Sequence, residues 1–207
     1  MARKVKNLKQ RNQFVIVTNG KRSEKNYFNA LRVKFRSIYD IDVKFENGDP
    51  LTVVKRAIRE KKTSNQVWCI FDKDTFPDET IYKCMAIARN EDIGIAFSNA
   101  AFEVWLINHF DKLEAEKTPA NLLDVLDSYI RDEGYAQGYS KNDCVLVEEV
   151  FLPRLETAKL NSEVSLQKRI VEYNRLKPND TNYPLCEWNS CTTVHKLVEA
   201  LKLQERE

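Results

Sequence analysis

The chain has 207 residues, 43% hydrophobic and 31% charged, and its 33 Lys and Arg against 31 Asp and Glu leave a formal charge of +2. This is a globular composition with ample material for a core, and it excludes collagen, extended disorder and a disulfide mini-protein. No apolar run approaches the roughly 20 residues of a membrane span, and the opening MARKVKNLKQRNQ lacks the apolar stretch of a secretory signal, so a cytoplasmic protein with no membrane partner is expected.

The charge is uneven. Seven cations (Arg3, Lys4, Lys6, Lys9, Arg11, Lys21 and Arg22) precede the first acid, Glu24. Residues 1–13 read as a basic arm that suits a phosphate backbone or an acidic partner, or else is a solvated tail.

FVIVT at 14–18 is a β-branched run ended by Asn19-Gly20. From Ser23, a good helix cap, Phe28, Leu31, Phe35 and Ile38 recur on one helical face. IDVKF at 41–45 alternates as a strand, and Leu51, Val54 and Ile58 mark a second helix. QVWCIF at 66–71 is continuously apolar, as expected of a strand covered on both faces. A third helix is predicted over about 78–91 and a fourth strand at GIAFS, 94–98. This β-α-β-α-β-α-β rhythm predicts an α/β fold with a parallel sheet of about four strands flanked by helices.

After residue 99 the rhythm stops. Segments near 100–110, 120–132, 144–160, 163–175 and 192–204 read as helical, with Pro153 kinking or ending its helix and 134–142 forming a loop. The predicted organisation is the arm 1–13, an α/β core 14–110, and a mostly helical portion 111–207 packed on it. The five cysteines are odd in number and form no C-x-x-C, which reads as reduced thiols. Cys186, Cys191 and His195 are the only, weak, zinc-like grouping.

In a parallel sheet, ligands bind beyond the carboxyl ends of the strands. Asn19-Gly20 ends the first strand and Asp72-Lys73-Asp74 the third. If the chain stays extended, Asp72 and Asp74 point to one side and suit a hard cation such as Mg²⁺; alternatively they cap the following turn. In SNAAFEVWLINHF, 98–110, Glu103 and His109 lie in an apolar frame, where a charge needs a partner or a function. For Glu103 the plainer reading is a structural partner for a buried Lys, Arg or amide, and for His109 a core histidine. P-loop, GxGxxG, HExxH and GxSxG patterns are missing.

VTNGKRSEKNYF (17–28), VWCIFDKD (67–74), FSNAAFEVWLINHF (97–110) and WNSCTTVHKLVEAL (188–201) together resemble the RloB-like proteins, a Toprim-fold group linked to bacterial anti-phage defence. The resemblance implies a Toprim-like core and an antiviral nuclease that hydrolyses phosphodiester bonds in RNA, such as tRNA, or in DNA. It implies Mg²⁺ or Mn²⁺ held by Asp72, Asp74 and Glu24, with Glu103 as a further site residue and Lys73 or the arm at phosphate. It also implies an ABC/AAA-type ATPase as partner. The chain departs from the pattern at Asn19, where the family's loop has its first Glu. Three explanations are open: Glu24 takes over, the member binds nucleic acid or a partner without cutting, or the residue was engineered to trap an inactive form.

Overall fold

The computed structural model describes residues 12–35, 39–64, 66–113 and 115–203. The basic arm, apart from residues 12 and 13, lies outside them, as does Ile38. The chain alternates strand and helix through its first half: β1 (Asn12–Thr18), α1 (Ser23–Phe35), β2 (Tyr39–Phe45), α2 (Pro50–Lys61), β3 (Gln66–Asp72), α3 (Asp78–Asn90) and β4 (Gly94–Asn99). The four strands pair in parallel in the order β2-β1-β3-β4.

Every side chain from Phe14 to Val17 is buried, and their alternation divides the core. Phe14 and Ile16 join Ile70, Ala96 and the apolar faces of α1 and the later helices. Val15 and Val17 join Cys69, Phe71 and Phe97 under α2 and α3. A strand buried on both faces has no polar side to show, which is why β1 and β3 read as continuous apolar runs. Asp49 caps α2 by accepting from Thr52 N at 2.8 Å, with Pro50 in the first turn.

The second half holds α4 (Glu103–Ile107), α5 (Pro119–Asp132), α6 (Cys144–Leu146), α7 (Leu155–Leu176), β5 (Cys191–Thr192) and α8 (Val194–Leu203). After α6 the chain passes through a π turn, Val147–Phe151, and a 3₁₀ turn, Leu152–Arg154. Pro153 therefore sits in the joint before α7, as its missing N–H demands.

The expected parallel sheet of four strands is present, and two details differ from the sequence reading. Among the described residues a short fifth strand joins the sheet: β5 pairs antiparallel with β4, Ser98 opposite Thr192 and Asn99 opposite Cys191. Thr193 completes the clasp: its N–H donates to Phe97 O at 2.8 Å and its Oγ1 accepts from Phe97 N at 2.9 Å. The C-terminal portion thus supplies an edge strand to the core sheet, and α8 begins only at Val194. The break expected between 160 and 163 is absent, since α7 runs unbroken for 22 residues. Asn161 and Ser162, which read as a helix boundary, bond sideways instead. Asn161 Nδ2 donates to Asn108 O and Asn108 Nδ2 to Ser162 Oγ, both at 2.9 Å.

Candidate functional site

The carboxyl ends of β1, β3 and β4 meet at one edge of the sheet, where Glu24, Asp72, Asp74 and Glu103 line a hollow of about 180 Å³ together with Phe102, Leu123 and Lys141. Glu24 opens α1, placed by the turn that follows β1, and is 9% exposed. Its carboxylate folds back over Gly20, where a Cβ would lie 1.9 Å from the carboxyl carbon. Asp72 ends β3 and accepts from Phe102 N at 3.0 Å through Oδ2. Its Oδ1 is buried without a hydrogen-bond partner among the described residues. Glu103, 3% exposed at the start of α4, is held by Lys141 Nζ at 2.8 Å.

Asp74 reaches the hollow by a different route from the one expected. The chain turns after Asp72, Phe76 N bonding Lys73 O, and Asp74 is exposed with φ +40°, a left-handed conformation that Asp tolerates. The two aspartates share a wall of the hollow through this turn and not through an extended strand. Lys73 is turned away, its ammonium bonded to Phe76 O and paired with Asp78 at 2.9 Å. Asn19 is also outside the lining; its Nδ2 donates to Gly48 O at 3.4 Å.

The charge balance of the hollow is unfavourable. Burial, followed by the nearby charges of Glu24 and Glu103, pushes Asp72 well above the usual carboxylate range. Burial also raises Glu24, with Glu103 adding to the shift while Lys141 and a backbone hydrogen bond oppose it. Partial burial pulls the Lys141 ammonium down, but its pairing with Glu103 and the nearby charges of Glu24 and Asp72 together raise it. Desolvated carboxylates facing each other around one ammonium, with a buried orphan oxygen among them, are a donor set that fits a hard divalent cation. Among the described residues no three His, Cys, Asp or Glu side chains already form a ready metal shell. The acids repel one another, and the Lys141 ammonium offsets part of that charge through its pairing with Glu103.

The remaining candidates are structural. His109 is buried, with Nδ1 between Trp105 O (3.0 Å) and Leu106 O (3.2 Å) and Nε2 3.0 Å from Tyr27 Oη. It therefore donates from Nδ1 and accepts the Tyr27 hydroxyl, and burial lowers its pKa to about 3. Asn99 donates to Cys186 O at 2.7 Å, tying β4 to the segment before β5. His195 faces Glu163 at 2.9 Å, while Cys186 packs in the cluster under α2 and α3, so the zinc-like grouping is not assembled. All five cysteines are free, with Cys144 exposed and the rest buried.

Sequence reasoning missed Lys141. It lies in the connection 133–143, which has no periodicity to mark it. The one signal was indirect: a buried glutamate in an apolar frame demands a cation, and Lys141 is that cation.

Carboxylates gathered from successive βα edges of a parallel sheet define a class of α/β protein that presents acids where such folds bind ligands. Within it, the family model for the RloB-like protein matches residues 14–201; the chain belongs to the RloB-like family. No curated protein and no solved structure matches it. Among the described residues no helix is long and apolar enough to cross a membrane.

Proposed function

We propose that the chain is a Toprim-type nuclease, dependent on Mg²⁺ or Mn²⁺, that hydrolyses phosphodiester bonds in RNA or DNA as an effector of anti-phage defence. The observation that carries the proposal is the hollow shared by Glu24, Asp72, Asp74 and Glu103, with the buried orphan Oδ1 of Asp72 in it. Asp72, Asp74 and Glu24 would hold the ion. When bound, the ion supplies charge neutralisation at a phosphodiester and a water of lowered pKa.

The chain's own residues set up the rest. Gly20 leaves the space in which the Glu24 carboxylate rests. Phe102 N orients Asp72 through Oδ2 and leaves Oδ1 for the ion. The buried Phe102 lines the hollow beside Asp72 and Glu103, and an apolar neighbour strengthens the charge interactions next to it. Glu103 lies within the hollow as an additional ligand or as a support for the others. An ABC/AAA-type ATPase as partner follows from the family resemblance alone.

A second reading is favoured by one observation. The Asn19 side chain is bonded to Gly48 O away from the hollow, and by the family resemblance Asn19 takes the position of the first Glu. A member without that acid would bind nucleic acid or a partner without cutting. The test is incubation of the protein and of Asn19→Glu with labelled tRNA and with single- and double-stranded DNA, with Mg²⁺ or Mn²⁺. Cutting by the unaltered protein supports the nuclease. Cutting only by Asn19→Glu supports the degenerate member, and silence from both removes the nuclease reading.

A further inference from the structure

Among the described residues that line the hollow, Lys141 is the one cation, against four carboxylates. It does not come from the sheet but from the connection between α5 and α6, and that connection is tied down on both sides of Glu24. The Tyr139 and Ser23 hydroxyls are 3.1 Å apart, and Asn26 Nδ2 donates to Lys141 O at 3.2 Å. Behind the connection, Asp127 Oδ1 accepts from Tyr139 N at 2.9 Å, while Oδ2 is paired with Arg131 at 2.6 Å. Gly138 turns there with φ +69°, and a Cβ on it would fall 1.8 Å from Asp127 Oδ1, so only glycine allows this close crossing.

The backbone of Lys141 is thus fixed, but its side chain is 46% exposed and holds Glu103 by a single contact at 2.8 Å. Glu103 is buried, so it keeps a cation beside it; the half-exposed Lys141 ammonium, compact and on a flexible four-carbon stem, can change partners once a divalent ion meets that charge. A divalent ion among the same acids and the Lys141 ammonium repel each other. The stem allows the ammonium to leave toward a phosphate, for which a lysine is a good point-charge partner.

We infer that Lys141 is an exchangeable counter-ion of the hollow. Its ammonium holds Glu103 while the acids carry no divalent ion, and it passes to a substrate phosphate when such an ion binds. The inference rests on the metal-site reading above and assigns a positioning and phosphate-contacting role to a residue outside the sheet.

The test is Mn²⁺ binding to the full chain, followed by the electron paramagnetic resonance of free Mn²⁺ without nucleic acid. Wild type is compared with Lys141→Met, which keeps the stem, and Lys141→Arg, which keeps the charge. Lys141→Met is expected to bind Mn²⁺ about tenfold more tightly, as loss of one competing ion pair implies, and to show a larger Mn²⁺-induced rise in Tm. Lys141→Arg is expected to stay near wild type. At saturating Mn²⁺, labelled oligouridylate or oligothymidylate is expected to bind Lys141→Met more weakly than wild type. Wild-type uptake of Mn²⁺ with equal or weaker uptake by Lys141→Met overturns the inference and leaves the metal site standing. No uptake by any of the three removes the metal site and the inference together. Oligonucleotide binding that is absent, or equal in wild type and Lys141→Met, overturns the transfer to phosphate.

Discussion

Gly20 and Glu24 compete for one space: a Cβ on Gly20 would lie 1.9 Å from the Glu24 carboxyl carbon and about as close to both its oxygens. The turn after β1 therefore does more than reverse the chain. Its missing side chain is the seat of the acid four residues on. Gly20→Ala is expected to fold, because the displaced atoms are the far end of a flexible side chain. Its stability should stay within about 1 kcal/mol of wild type. Its Mn²⁺ affinity should fall at least tenfold, because the Glu24 carboxylate must leave its place. Thermal denaturation and Mn²⁺ titration check the two halves separately, and unchanged affinity would remove Glu24 from the site.

Asp72 is stabilised poorly by the fold around it. Burial and the neighbouring Glu24 and Glu103 raise its pKa, so the folded state holds the Asp72 proton more tightly than the unfolded chain. Between the ordinary carboxylate range and that raised value, this group's contribution to stability falls as pH rises. Asp72→Asn keeps an oxygen for Phe102 N and carries no charge. In metal-free buffer at pH 7 it should be more stable than wild type by roughly 0.5–2 kcal/mol, the range found when strained functional groups are relaxed. The gain should shrink toward pH 4. Urea denaturation at the two pH values measures it, and a variant less stable than wild type at pH 7 contradicts the electrostatic account.

The two histidines move stability the other way. Burial lowers His109 to about 3 and His195 to about 4, the latter against an opposing pull from Glu163. Their unfolded values lie near 6.5. Below that the unfolded chain takes up protons that the folded protein refuses, so stability falls as pH drops from about 6.5 toward those folded values. The slope approaches about 1.4 kcal/mol per pH unit for each histidine. Nitrogen-15 NMR of the imidazoles should show both neutral at pH 5, with His109 protonated at Nδ1. A ring titrating near 6.5 would contradict the assigned burial.

The pair Asn108 and Ser162 fastens the end of α4 to the middle of α7. Ser162→Ala leaves a buried amide donor without its acceptor and should cost about 1–3 kcal/mol. Urea denaturation reads this cost, and a loss under about 0.5 kcal/mol would show that the bond adds little to the docking of α7.

Much of this arrangement is legible in the order of residues, and the failures have physical reasons. Strands β1 and β3 announce themselves because strands buried on both faces must be apolar, as Phe14–Val17 and Val67–Phe71 are, whereas β2, at the sheet edge, shows instead the alternation of a half-covered strand. The acids at 72, 74 and 103 are conspicuous because charge is costly beside such runs. Strand β5 escapes notice because two residues cannot show a period, and its pairing comes from Thr193 and Phe97, far apart in sequence. Asn161-Ser162 imitates a helix boundary because side chains that cap helices can equally bond across them. Lys141 is invisible because its position depends on Ser23, Asn26 and Asp127, three anchors that only the folded chain brings together.

The central claim is that Asp72 and Asp74 are held with Glu24 at one sheet edge to grip a divalent ion. The most direct measurement is calorimetric titration of the metal-free protein with Mn²⁺, beside the double variant Asp72→Ala, Asp74→Ala. The account predicts one saturable site in the wild type and its loss in the variant, with both proteins folded by circular dichroism. Indistinguishable Mn²⁺ affinity in the two would contradict it.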